Sequence, residues 1–177
     1  MGLRISKEVK LAGAVILAAI GIGFVAKHLQ GAWQSGEDGA KVWFYDQSER
    51  RLYAAARDTV PPDKGVGGPS GDGVRAVVVA FPGEQNDPRK RRIAYLETHT
   101  PALKELLDRA RAAHASGRPF TQPVPPRESA FFRTNTLVKR VEEAQWYPSD
   151  SNEGRMVMSE WRSWRGSGGQ LPVVCVP

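Results

Sequence analysis

A chain of 177 residues has room for about one domain on the usual scale of about 100–200 residues each. Its 41% hydrophobic and 25% charged residues are ordinary for a folded protein, which excludes a wholly disordered or collagen-like chain. The single cysteine, Cys175, excludes an internal disulfide, and with only His28, His99 and His114 it also excludes a four-ligand Cys/His zinc site.

In chain order, the first feature is an uncharged apolar run from Leu11 to Ala26, bracketed by Lys10 and Lys27. As a helix it would span about 24 Å, slightly less than the hydrocarbon core, and the bracketing lysines can snorkel to close the gap. The anchor side chains would be Leu11, Val15, Ile16, Leu17, Ile20, Ile22, Phe24 and Val25. A cleaved signal peptide is the rival reading, but Phe24 and Leu29 fall where a peptidase needs small residues. A buried soluble helix is the third. Arg4, Lys7 and Lys10 precede the run and only Lys27 closely follows it, which predicts a cytoplasmic N-terminus. The expected layout is a cytoplasmic head at 1–10, a membrane helix at 11–27, a linker at 28–40 and an extracytoplasmic domain at 41–177. The head accounts for two of the six net positive charges, so the rest carries about +4 and part of the high pI reports topology.

Lys41 to Asp46 and Arg51 to Ala56 are aromatic or apolar runs separated by four polar residues, which predicts a β-hairpin. Arg57 to Gly73 is dense in Pro and Gly and predicts a long exposed loop. Val74 to Phe81, with Val77, Val78 and Val79 continuous, predicts a central strand buried on both faces. Ile93 to Thr98 should pair with it in antiparallel fashion. Thr100 before Pro101 is a helix start, Leu103, Leu106, Leu107 and Ala110 recur on one face, and Gly117 is the stop. Phe131 to Val141 reads as a further strand with a bend at Thr134–Thr136. Glu153 to Trp164 reads as a short amphipathic helix, and the tail from Leu171 as an edge strand. The sum is an α+β fold: a small, mostly antiparallel sheet with one packed amphipathic helix and long loops, following an N-terminal transmembrane helix.

No pattern of established chemistry emerges. The Gly65, Gly67, Gly68 and Gly71 cluster puts Ser70 where a dinucleotide loop needs its third Gly, and no helix follows. Glu97 and His99 would share a strand face, the one acid–imidazole pair available. Glu142 and Glu143 are adjacent and would diverge in either a strand or a helix. No catalytic residue, metal or cofactor is therefore expected. Two segments suit contact with a partner: the basic run with Arg89, Arg91 and Arg92, and the aromatic–arginine group of Trp146, Trp161, Arg162, Trp164 and Arg165. The predicted topology argues against nucleic acid, and Cys175 between valines reads as a buried thiol.

Phe44-Tyr45-Asp46, Arg51-Leu52-Tyr53, Val60-Pro61-Pro62, Ser70-Gly71, Val74-Arg75-Ala76 and Ile93-Ala94-Tyr95-Leu96-Glu97 follow one another before a helix. This order resembles an uncharacterised family of single-pass, membrane-anchored bacterial envelope proteins, over residues 41 to about 110, with a weaker echo from Asn152 to Cys175. Members of that family often carry extra cysteines after the Val-Arg-Ala strand, where this chain has Phe81 to Asn86 without one. The resemblance implies an anchored envelope domain and transfers no activity. The expectation is a non-enzymatic inner-membrane protein, single-pass, with the lipid bilayer and envelope proteins as partners and self-association left open. The alternatives are a pilin-like or secretion-apparatus subunit, which lacks the usual prepilin signal here, and an envelope-acting enzyme.

Overall fold

The computed structural model describes residues 40–67 and 71–177, and Lys41–Pro177 form one compact unit. The expected membrane segment and its anchor residues lie outside the described residues. Among those described, no helix is long and apolar enough to cross a membrane.

Among the described residues, seven strands form one sheet in which every pairing is antiparallel. Strands β1 (Lys41–Asp46) and β2 (Arg51–Ala56) form the expected hairpin, in register from Lys41↔Ala56 to Asp46↔Arg51. Arg50 closes its turn in the left-handed region, at φ 50°. Strand β3 (Gly73–Ala80) takes the centre, with β4 (Arg92–His99) along one edge through Arg75↔Glu97 and Ala76↔Leu96. Its other edge is shared. β1 occupies the first part, at Gly73 to Arg75, and β7 (Val173–Val174) the last, at Val79 and Ala80. Strand β5 (Thr136–Lys139) adds to β4 through His99↔Thr136, and β6 (Tyr147–Pro148) adds to β5. The register slips between Val77 and Val78, a bulge that re-aims the start of β4.

Cross-strand partners share a face. Val74, Ala76, Val78 and Ala80 of β3, with Leu96 and Cys175, form one buried cluster, against which Trp43, Tyr45, Leu52, Ile93, Val141 and Trp146 pack. Each fully buried large apolar side chain there contributes about 1.5–3 kcal/mol. His99, out of phase with Leu96, sits on the opposite face, with its ring edge-on to Phe132 at 5.8 Å between centroids.

Helix α1 (Pro101–Ala115) begins at Thr100 and ends at Ser116, with Gly117 at φ 65°, and it buries Leu103 and Leu106. Thr100 does more than cap it. Its hydroxyl donates to Asn135 Oδ1 at 2.6 Å, and its N–H donates to Asn135 O at 2.9 Å, which ties α1 to the next helix. That next helix corrects an expectation: Phe131 to Val141 is not one bent strand but helix α2 (Ala130–Asn135) followed by β5. Ser129 Oγ accepts the Phe132 N–H at 3.1 Å, and this cap turns an aromatic, β-rich stretch into a helical turn. The Glu153 to Trp164 segment is likewise split. Helix α3 (Asn152–Ser159) starts from Ser151, whose Oγ accepts the Gly154 N–H, and a 3₁₀ turn (Glu160–Ser163) follows. Three helices therefore accompany the sheet among the described residues, and α2 is the one whose sequence reads as a strand.

Candidate interaction surface

The connection leaving β5 carries the best-organised charged group on the described surface. Arg140 Nε donates to Glu160 at 2.7 and 2.9 Å, Nη2 to Glu160 Oε2 at 2.6 Å, and Nη1 to Glu143 Oε1 at 2.6 Å. The Glu160 carboxylate, then that of Glu143, holds the guanidinium still more firmly protonated than usual. All three side chains are about a third exposed, so each pair contributes only about 1 kcal/mol or less. Their larger effect is positional. Glu160 opens the 3₁₀ turn, and Arg140 thereby pins the turn bearing Trp161 and Trp164 to the end of β5.

Within that turn, Trp161 Nε1 donates to Met158 O at 2.9 Å, and the Arg162 guanidinium stands 5.5 Å over the Trp161 ring. Arg165 donates to the carbonyls of Arg162 and Trp164. Arg162 and Arg165 are exposed, and both tryptophans are half-buried. Next to them lies an open cleft of about 570 Å³. Ile93, Ala94, Val141 and Trp164 supply apolar walls, and Arg140, Glu142, Glu143 and Glu160 supply the charge, three carboxylates against one guanidinium. Lys139 braces the rim: its ammonium donates to Glu143 O at 3.0 Å and lies 5.0 Å from the Trp146 ring, and burial lowers its pKa.

The aromatic–arginine group is thus divided. Trp161, Arg162, Trp164 and Arg165 share the turn, whereas Trp146 packs against the sheet cluster. The basic run is largely committed within the chain. Arg91 donates to Gln85 O at 2.8 Å and stands 5.1 Å over Trp43, Arg92 stands 5.9 Å over Phe81, and Lys90 pairs with Glu84 at 3.3 Å. Arg89 stays exposed, with its backbone N–H on Asp87.

Other candidate groups serve the fold. Asp46 is wholly buried and accepts from the N–H groups of Glu49 and Val66, at 2.9 and 2.8 Å, and from Ser48 Oγ at 3.0 Å. The Glu49 and Val66 N–H groups, foremost, hold its pKa down to about 2. Gly65 and Val66 close over this carboxylate: Gly65 sits at φ 77°, where a Cβ would come 2.5 Å from Asp46 Oδ2. His99 is 9% exposed, its Nδ1 has no hydrogen-bond partner, and burial followed by the Arg127 charge pulls its pKa to about 4. Among the described residues, no three His, Cys, Asp or Glu side chains converge as a metal site would require.

The chain matches no protein-family model, no curated protein and no solved structure. Trp161 and Trp164 stand out in the sequence by residue type, whereas Arg140 and Glu160 do not, because their pairing spans twenty positions with no local pattern to signal it.

Proposed function

We propose that this is a non-enzymatic, membrane-anchored protein whose α+β domain, outside the cytoplasm, binds another protein of the envelope or a subunit of a larger membrane complex. The observation that carries the reading is the 3₁₀ turn locked by Arg140, which presents Trp164, Arg162 and Arg165 beside an apolar-walled cleft. Half-buried tryptophan next to exposed arginine, on a turn held by Arg140, is the composition that dominates binding energy in protein interfaces. The apolar run from Leu11 to Ala26 and its flanking charges support the anchor and its orientation. Two of the acid and base candidates are engaged within the fold, Glu143 through Oε1 on Arg140 and His99 enclosed against Phe132, which supports a non-catalytic reading.

The test is to cross-link the protein briefly in its native membrane, extract it in mild detergent and identify attached proteins by mass spectrometry. A reproducible set of envelope proteins, reduced when Trp161 and Trp164 are both changed to Ala in a chain that still folds, is the expected result. Recovery of the protein alone, or only of copies of itself, would overturn it in favour of an envelope-acting enzyme or a self-assembling subunit.

A further inference from the structure

We infer that the cleft beside Trp164 receives a basic side chain from the protein partner, its apolar stem on Ile93 and Val141 and its cationic head among the carboxylates. This deepens the interaction reading above and rests on it. Charge carries the argument first. Arg140 is shared between Glu143 and Glu160, so the single guanidinium in the walls leaves an excess of negative charge on a chain that is basic elsewhere. Glu142 lines the cleft, is exposed and has no ion-pair partner among the described residues. Glu143 binds Arg140 through Oε1 alone; its Oε2 is buried and accepts no hydrogen bond. Because Oε2 is enclosed, Glu143 acts on a ligand through its charge, and Glu142 is the acid open to direct contact.

Shape and wall chemistry narrow the ligand. A small inorganic cation would leave Ile93, Ala94, Val141 and Trp164 unused, and a neutral apolar group would leave the acids unpaired. Arginine and lysine side chains join a hydrocarbon stem to a cation, and the indole face of Trp164 attracts such a head. The chain's own basic run does not fill this role, because Arg91 and Arg92 are held over Trp43 and Phe81.

The probe is N-acetyl-arginine amide, titrated into the full-length chain in a neutral detergent, with N-acetyl-citrulline amide as its uncharged isostere. The Trp164 indole N–H resonance, assigned with Trp164→Phe, is the readout. The arginine probe should move it in a saturable way and the citrulline probe should not. Glu142→Gln should weaken the arginine response about two- to fivefold, while Glu105→Gln on the far exposed face of α1 leaves it unchanged. Equal responses to the two probes, or a Glu142→Gln chain that responds like the parent, would overturn the inference. Capture of envelope partners without any arginine response removes the cleft reading alone. An arginine response from a chain that cross-links to nothing removes the interaction reading instead.

Discussion

Two buried titratable residues set how this domain responds to acid. His99 has a folded value of about 4, below the value of 6.5 it takes when free, because burial and then the Arg127 charge disfavour the imidazolium. A depressed folded value means the unfolded chain takes up the proton first. The stabilisation is therefore complete above about pH 6.5 and is lost as pH falls through about 4, a change on the order of 3 kcal/mol. Asp46 acts in a lower window: its folded value of about 2, against 3.8 when free, gives stability that is present above about pH 4 and lost as pH falls through about 2. Urea unfolding from about pH 8 to about pH 2 should show a decline beginning near pH 6.5, and His99→Phe should flatten it while leaving the separate loss below about pH 4. An unchanged slope in His99→Phe would mean that His99 is not the group being protonated. The substitution places an aromatic ring against Phe132 and removes the Nδ1 that lacks a hydrogen-bond partner.

Among the elements, α2 is the one whose formation depends most on a single side chain. It is six residues long, too short to persist by propensity, and Ser129 Oγ satisfies its Phe132 N–H. Ser129→Ala should destabilise the domain by about 1 kcal/mol, read as a lower unfolding midpoint. An unchanged midpoint would shift the weight to the Asn135 Nδ2 bond to Phe131 O and the contact of Phe132 with His99. The same element marks where the sequence stops being legible. The β1–β2 hairpin, β3, β4 and α1 could be read directly, since alternation, turn residues, a Thr-Pro start and a Gly stop are all local signals. Phe131, Phe132, Thr134 and Val138 carry the composition of a strand, and the helix is decided by one cap and a contact from distant His99. Tyr147–Pro148 is too short to show any period and pairs only at the outer edge of β5.

At the scale of the whole molecule, what the sequence conceals is which distant segments meet. Trp161 and Trp164 stand out by residue type, but Ile93, Arg140 and Val141, which line the cleft with Trp164, come from β4 and from the connection after β5, and no spacing rule links them. The position of β7 is equally non-local: Val79 meets Val174, and the Cys175 N–H donates to Val78 O at 2.8 Å. Cys175 is 5% exposed, and burial raises its thiol pKa, so a thiol reagent should label the native domain slowly. Because β7 has only two paired residues, low denaturant should accelerate labelling before tryptophan fluorescence reports global unfolding. Labelling that coincides with global unfolding would make β7 part of the same cooperative unit. The Val79–Val174 pairing also closes a longer loop than any other in the sheet, and loop-closure entropy delays such contacts in folding. Cys175 is therefore a built-in clock: the moment its sulfur becomes inaccessible during refolding dates the docking of β7 on β3.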